Sequence, residues 1–179
     1  HGFAGSAQQY ESQAMRFVAN GYPPERIVAY EHDGAGFDTA SFVTGLDAVV
    51  NDVLAEFGAS KVYLIGHSRG TSVSSTYLSN AQRAAKVEKY IAIDGGGCPS
   101  NVPCITPNQA MFSGQKHVEV CTSKESFAMQ YEFLQHQQHW NVFMTYGALL
   151  LGAAQILFVI NFFWSLFAGR KAPMNPWDS

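Results

Sequence analysis

The stretch Lys61-Val-Tyr-Leu-Ile-Gly-His-Ser-Arg-Gly70 decides the fold. Its first half is an almost continuous apolar run, typical of a strand in a parallel sheet that is covered on both faces. Its second half fits the pattern Gly-X-Ser-X-Gly, and a helix is predicted over the following residues, 68–80. A sharp strand-to-helix turn presents a serine hydroxyl at the carboxyl edge of the sheet. We therefore interpret Ser68 as a candidate nucleophile; the alternative is an ordinary glycine-rich turn.

Helices and strands alternate through the rest of the first 135 residues. The pattern at 42–57 is clearest, because its apolar residues recur at helical spacing and Gly58 follows as a stop signal. Alternation of this kind predicts an α/β fold with a parallel sheet flanked by helices. Besides the helix over 68–80, the predicted elements are helices over 10–20, 42–57 and 122–134, and strands over 26–30, 61–65 and 87–93.

A serine nucleophile needs a general base, and His117 is our candidate. It lies in Gly114-Gln-Lys-His-Val118, just ahead of the helix predicted from Thr122. Two other histidines are weaker candidates. His67 is adjacent to the serine and is expected to point elsewhere, and His32 is expected to pack or to face solvent.

The candidate acid that would orient the base is Asp94, the sole aspartate between the candidate nucleophile and base. It stands at the end of the predicted strand 87–93 and three glycines follow it. The end of a strand suits such an acid, but it is equally open that Asp94 only shapes the glycine turn. Asp33 and Asp38 are expected to be loop and helix-cap residues.

The segment His1-Gly-Phe-Ala-Gly5 resembles the loop that supplies one oxyanion donor in enzymes with this serine turn. The backbone N–H groups of Phe3 and Arg69 would then form the oxyanion hole. His1 would be structural in that loop and not a general base. The alternative is a flexible tail.

Composition divides the chain at about residue 135. Of 179 residues, 47% are hydrophobic and only 14% are charged, with a formal net charge of −3. This balance argues against a disordered chain, a coiled coil and a nucleic-acid-binding protein. No formally charged residue lies between Glu132 and Arg170. We therefore expect two domains, 1–135 and 136–179.

The second piece is predicted to cross a membrane once, through residues 142–167. A helix of about 25 residues is about 38 Å long, which exceeds a hydrocarbon core of about 30 Å. Trp140 and Tyr146 near one end and Trp164 and Trp177 near the other resemble aromatic belts. Glycine and alanine along the helix would allow helix–helix association. Arg170 and Lys171 follow the helix, which predicts a cytoplasmic C-terminus and an outer, periplasmic or extracellular, first domain. A buried soluble helix is the alternative.

Residues 1–135 resemble an α/β-hydrolase of the lipase or esterase type. The resemblance implies hydrolysis of a small-molecule ester or lipid through an acyl-enzyme, without a metal or cofactor. In it, Ser68 attacks, His117 transfers the proton, and the Phe3 and Arg69 N–H groups hold the oxyanion. The serine, acid, histidine order of that fold suits this chain. The segments that carry the resemblance are 1–7, 66–70, 115–120 and 122–134.

This sequence also departs from the family pattern. The family places strands before the His-Gly loop, and it usually carries a strand with a trailing acid ahead of the histidine. Here the interval 98–114 contains no aspartate or glutamate. We therefore expect a truncated sheet, and truncation could leave the enzyme inactive. A non-catalytic domain that binds a small ligand is a further alternative.

Residues 139–179 resemble the last transmembrane helix of haem-copper cytochrome c oxidase subunit I. The resemblance rests on Trp140-Asn-Val-Phe-Met-Thr145, Asn161-Phe-Phe-Trp-Ser-Leu-Phe167 and Lys171-Ala-Pro173. The haem and copper ligands of that family lie on earlier helices, so we expect no redox centre here. His136 and His139 are expected to be surface residues and not metal ligands.

The two families that the chain resembles have no function in common, which suggests a chimeric or mis-assembled reading frame. The alternative function is then a membrane segment of the oxidase subunit fused to an inert hydrolase-like piece. Cysteine usage leaves another choice open. Cys98 and Cys104 are close enough in sequence to form a disulfide that closes a small loop and leaves Cys121 without a disulfide partner. Three free thiols are the equal alternative.

Overall fold

The computed structural model describes residues 1–169, and describes the backbone alone at 136–145 and 147. The chain divides into two compact units, 1–135 and 136–179. The elements, in chain order, are α1 Glu11–Ala19, α2 Thr39–Phe57, β1 Val62–His67, α3 Arg69–Leu78, α4 Ala81–Ala84, β2 Val87–Ile93, β3 Cys104–Ile105, α5 His117–Thr122 and α6 Lys124–Ala168.

Three parallel strands form the sheet of the first unit, in the order β1-β2-β3. His67 at the end of β1 pairs with Ile93 at the end of β2, so the two strands finish at the same edge. β3 is only two residues long and pairs with Tyr90 and Ile91. The structure confirms the predicted α/β class, with a small parallel sheet flanked by helices.

Successive residues of β2 supply the cores on the two faces of the sheet. Tyr90 and Ile91 are both fully buried, yet they belong to different hydrophobic clusters, because neighbouring side chains of a strand point to opposite faces. One cluster includes Leu46, Val50, Val73 and Leu78 of α2 and α3. The other includes Phe17, Val120, Phe127 and Leu134 of α1, α5 and α6.

The strand predicted over 26–30 does not form, which corrects the sequence analysis. Its residues have β propensity, but a strand also needs a neighbour for its backbone N–H and C=O groups. The nearest candidate is the outer edge of β1, which has no strand partner within residues 1–169. Ile27–Tyr30 and β1 instead line a common cavity of about 1190 Å³. Instead of pairing with β1, the run begins in a turn, where the Arg26 and Ile27 N–H groups donate to the carbonyl oxygens of Pro23 and Pro24 at 3.0 and 3.1 Å.

The helix predicted over 42–57 begins three residues earlier, at Thr39. Asp38 caps it, because its Oδ1 accepts a hydrogen bond from the Ser41 N–H at 3.1 Å. This confirms Asp38 as a cap residue. The helix ends where expected, at Gly58, whose φ of 58° is the left-handed conformation that glycine adopts most readily. The helix predicted over 10–20 is also present, as α1.

The helix predicted from Thr122 to about Leu134 differs at both ends. Residues up to Thr122 belong to the short helix α5, and α6 begins at Lys124 and continues to Ala168. Lys89 marks the expected end, because its Nζ donates to the carbonyl oxygens of Phe133 at 2.6 Å and Leu134 at 3.3 Å. A cation at these carbonyls is typical of the last turn of a helix.

The second unit contains a helix that is long and apolar enough to cross a membrane. Its apolar segment is Ala148–Ala168, with a mean hydropathy of 2.0 and exposed side chains. At 1.5 Å per residue it is about 32 Å long, close to the thickness of a hydrocarbon core. This segment fits a membrane anchor. The side chains of His136, His139 and Trp140, and residues Arg170, Lys171 and Trp177, lie outside the described part of the structure.

Cys98 and Cys104 form a disulfide, with their Cα atoms 5.6 Å apart. Of the two alternatives left open by the sequence, the structure has the disulfide. The bridge ties the loop after β2 to the start of β3. Cys121 is free and buried.

Candidate active site

Ser68 occupies a strained turn between β1 and α3. Its φ of 53° and ψ of −121° are rare for a residue with a side chain and cost on the order of 1–3 kcal/mol. Three hydrogen bonds hold the turn. The Ser68 N–H donates to the Ile93 carbonyl at 3.0 Å, and the Ser68 carbonyl accepts from the Thr71 N–H at 3.0 Å and from Thr71 Oγ1 at 2.6 Å. The conformation leaves the serine side chain half-buried at the carboxyl edge of the sheet.

The two glycines of the motif are required by close packing around this turn. A Cβ at Gly66 would lie 3.0 Å from the Gly70 carbonyl oxygen, where the strand and the helix meet. A Cβ at Gly70 would lie 2.9 Å from the carbonyl oxygen of His1. Any side chain at either position would therefore push apart elements that define the turn.

Asp94 and His117 are in direct contact. His117 Nδ1 donates a hydrogen bond to Asp94 Oδ2 at 2.6 Å. The same carboxylate accepts two hydrogen bonds from Gln109, one from its backbone N–H at 3.2 Å and one from Nε2 at 2.8 Å. Burial acts to raise the pKa of Asp94, but the hydrogen bonds from His117 and Gln109 together outweigh it and lower the pKa. The ionised carboxylate therefore holds the imidazole with Nδ1 protonated, which leaves Nε2 available as a base.

His67 supports the backbone of His117. Its ring is buried, Nε2 lies 3.0 Å from the His117 carbonyl oxygen, and Nδ1 lies 3.1 Å from Gln9 Nε2. Burial lowers the pKa of His67, which favours the neutral ring. A neutral ring with its proton on Nε2 satisfies both contacts, donating to the carbonyl and accepting from the amide. His67 is thus buried and links the strand to the candidate base.

Among the side chains of residues 1–135, no hydrogen bond joins the Ser68 hydroxyl to the His117 imidazole. The connection runs through His67, which precedes the serine and contacts the histidine ring with a centroid distance of 4.6 Å. Hydrogen bonds between a nucleophile and its base are often long before a substrate binds and tighten in the enzyme–substrate complex.

The segment His1–Gly5 packs against the serine turn and does not extend as a tail. A Cβ at Gly2 would lie 3.2 Å from the Ser68 Cβ, and the Ala4 N–H donates to the Gly34 carbonyl at 2.8 Å. In the loops and caps of the described residues, neither the Phe3 nor the Arg69 N–H takes part in a backbone hydrogen bond. Both remain available to a ligand.

His1 is packed inside this segment. Its ring stacks on His32 with centroids 3.7 Å apart, and its Nε2 lies 2.9 Å from Glu31 Oε1. The side chain is buried and faces these neighbours. This arrangement fits a structural role for His1, and places His32 in packing.

Three residues of this region were missed by the sequence analysis. Gln109 donates a hydrogen bond to Asp94, and Gln9 contacts His67. Thr71 connects the Ser68 carbonyl to Gly96, because its Oγ1 also accepts a hydrogen bond from the Gly96 N–H at 2.6 Å. Threonine in the first turn of a helix after a serine turn is a signal that could have been used. The glutamines lie in segments without periodicity, so nothing in their local sequence indicates these contacts.

Within the described residues, no group of three or more histidine, cysteine, aspartate or glutamate side chains is placed to hold a metal ion.

Comparison with known proteins gives a match over the first unit. A family model for the alpha/beta hydrolase fold matches residues 1–118 of this 179-residue chain. This chain belongs to the alpha/beta hydrolase fold family. The resemblance noted for residues 1–135 is thereby confirmed at the level of the family.

A second match concerns a different protein. Over 40 residues, this chain is 60% identical to cytochrome c oxidase subunit 1 of Synechocystis sp.. The match covers 22% of this chain and only 7% of the oxidase subunit. It therefore confirms a local similarity to the oxidase subunit and extends to a small part of that protein.

Proposed function

We propose that residues 1–135 form a serine hydrolase that cleaves carboxylic esters, of the esterase or lipase type, through an acyl-enzyme. The observation that carries the proposal is the 2.6 Å hydrogen bond between His117 and Asp94, beside a serine held at positive φ. An oriented base together with a serine at the carboxyl edge of the sheet is the arrangement that acyl transfer requires. The residues with proposed catalytic roles are Ser68, His117 and Asp94, with Phe3 and Arg69 as oxyanion donors.

In the first half-reaction, Ser68 Oγ attacks the ester carbonyl carbon while its proton passes to His117 Nε2. The Asp94 carboxylate stabilises the imidazolium that forms. The carbonyl oxygen becomes an oxyanion and accepts hydrogen bonds from the N–H groups of Phe3 and Arg69. The tetrahedral intermediate then expels the alcohol, which takes the proton from His117, and the acyl group remains on the serine.

In the second half-reaction, water attacks the acyl-enzyme. His117 takes a proton from the water, the same N–H groups hold the second oxyanion, and the acid product leaves as Ser68 regains its proton. The side chain of His117 is 45% exposed, so water can reach it. Solvent access at the base supports hydrolysis as the outcome of the acyl-enzyme.

Hydrolysis of p-nitrophenyl butyrate tests the proposal. The wild-type chain in detergent should release p-nitrophenol, and intact-mass analysis of a quenched reaction should find the acyl group on Ser68. Ser68→Ala should abolish both. Ser72→Ala is the matched control, because Ser72 lies on the same helix with an exposed side chain. Equal rates in wild type and Ser68→Ala would refute the proposal.

We further propose that residues 142–167 anchor the hydrolase in a membrane, with residues 1–135 on the periplasmic or extracellular side. The exposed apolar helix Ala148–Ala168 and the similarity to an oxidase membrane subunit support an anchor. Protease added to cells stripped of any outer membrane, with the inner membrane intact, should then digest the first unit. Protection in these cells, with digestion only after lysis, would contradict this orientation.

The second candidate function is a membrane segment of oxidase type joined to an inert hydrolase-like unit. The 60% identity over 40 residues favours it. It predicts co-purification with other oxidase subunits and no reaction at Ser68. Sequencing the source DNA across residues 135–139 tests whether the chain is a chimera, because continuous native sequence on both sides would exclude an assembly artefact.

A further inference from the structure

We propose that the rings of Phe3 and Phe37 form the binding surface for the acyl chain of the ester, an inference that rests on the proposed function. The two rings lie 5.7 Å apart. Both are open to solvent, with exposed fractions of 55% for Phe3 and 82% for Phe37. A single exposed apolar side chain is ordinary on a protein surface, but two aromatic rings in contact form an apolar patch that a hydrocarbon chain can cover.

Arg69 holds this patch in place. Its guanidinium carbon lies 5.5 Å from the centre of the Phe3 ring, and its Nη atoms donate to the carbonyl oxygens of Gly36 and, at 2.9 Å, of Asp33. The loop that carries Phe37 is thus tied to the residue that follows Ser68. An aromatic patch fixed before substrate binding loses little conformational entropy when a chain covers it.

The patch also lies beside the reacting groups. Gly2 packs against Ser68, and the Ala4 N–H donates to the Gly34 carbonyl, so the segment around Phe3 bridges the serine turn and the Phe37 loop. The Phe3 N–H is a proposed oxyanion donor. When it holds the carbonyl oxygen of an ester, the side chain of the same residue lies next to the acyl group. Phe37 then extends the apolar surface away from the carbonyl.

The hydrophobic core does not depend on the Phe37 side chain. Phe37 is absent from the two hydrophobic clusters of the described residues, and most of its side chain is in water. We therefore expect that Phe37→Ala folds normally. Phe37→Ala should therefore change the preference among acyl chain lengths and leave the stability of the protein unchanged.

The test compares p-nitrophenyl acetate with p-nitrophenyl octanoate, which share a leaving group and differ in acyl length. Removing the ring in Phe37→Ala should lower the octanoate-to-acetate ratio of kcat/KM about tenfold, because part of the chain is no longer covered. Phe37→Leu should restore most of that ratio. Met15→Ala is the control, since Met15 is 66% exposed on α1 and should leave the ratio unchanged.

Three results would overturn the assignment. A ratio in Phe37→Ala within about twofold of wild type would show that the ring does not bind the acyl chain. A selective loss with acetate esters of longer alcohols would assign the patch to the alcohol side instead. A wild-type chain that neither hydrolyses these esters nor reacts with a fluorophosphonate would refute the proposed function and this inference together, whereas labelling with an unaltered ratio refutes the inference alone.

Discussion

His117 Nδ1 lies 2.6 Å from Asp94 Oδ2, although the two residues are 23 positions apart in the chain. The sheet produces this proximity. Asp94 follows β2 directly, and His117 begins α5, which packs on one face of the sheet through Val120 and Cys121, in the same core cluster as Ile91 and Ile93 of β2. The hydrogen bond fixes which nitrogen of the imidazole carries the proton, and so which nitrogen can serve as a base.

Asp94→Asn should lower kcat for ester hydrolysis on the order of a thousandfold or more, because an amide can donate to Nδ1 and stabilise the wrong tautomer. Stability should change little, since the amide keeps the size of the carboxylate. The measurement is kcat for p-nitrophenyl butyrate. Asp52→Asn, on the exposed face of α2, is the control. A loss below about tenfold would mean that Asp94 only shapes the glycine turn.

Gln109→Ala should lower kcat by about three- to tenfold while KM stays constant, because it removes one charge-assisted hydrogen bond to Asp94 and keeps the other donor, the backbone N–H. The pKa of Asp94 should also rise, since that hydrogen bond helps to lower it. Steady-state kinetics separate the two parameters. Gln82→Ala, an exposed position on α4, is the control. A change in KM alone would indicate that Gln109 contacts substrate instead.

His67→Gln should make stability less dependent on pH below about 6.5, the pKa of an unperturbed histidine. Burial lowers the pKa of His67 in the folded protein, so below pH 6.5 the unfolded chain binds a proton that the folded chain does not. The stabilisation is therefore present above pH 6.5 and is lost as pH falls towards the lowered pKa. Urea unfolding at pH 7.5 and 5.5 measures the difference.

The pH dependence should not vanish in this variant, because burial also lowers the pKa of His32. Glutamine keeps an amide that can donate to the His117 carbonyl, so the variant should fold. If wild type and His67→Gln lose the same free energy between the two pH values, His67 is not buried as a neutral ring.

Reduction of the Cys98–Cys104 disulfide should lower the free energy of unfolding by about 2 kcal/mol, the chain-entropy value for such a short loop. Urea unfolding of the double variant Cys98→Ser/Cys104→Ser, compared with wild type with and without reductant, measures this. Wild type with reductant should match the variant. Wild type that is insensitive to reductant would show that the two thiols are free.

The sequence predicted the features that depend on short segments. The strand 87–93 and the turn at Ser68 are encoded locally, by an apolar run and by glycines where backbones touch. Asp94 and His117 could be proposed together from their order in the chain and from the position of Asp94 at the end of the predicted strand 87–93. Asp38 could be recognised as a cap because its side chain bonds to its own helix.

The features that sequence missed depend on partners distant in the chain. Residues 26–30 have strand propensity, but their pairing depends on what lies beside them, which no local pattern reveals. Gln109 lies in a loop without periodicity, so its bonds to Asp94 follow from tertiary structure alone. The helix predicted to stop near Leu134 continues to Ala168, since residues 135–146 contain no glycine or proline to end it.

Labelling with a fluorophosphonate probe tests the central claim most directly, because the probe reacts only with a serine activated by a base and an oxyanion site. The wild-type chain in detergent should be labelled at Ser68, and Ser72→Ala should be labelled equally. Ser68→Ala should not be labelled, and Asp94→Asn should react far more slowly. A folded wild-type chain that takes no label, or a label that persists in Ser68→Ala, would contradict the assignment of Ser68 as the nucleophile.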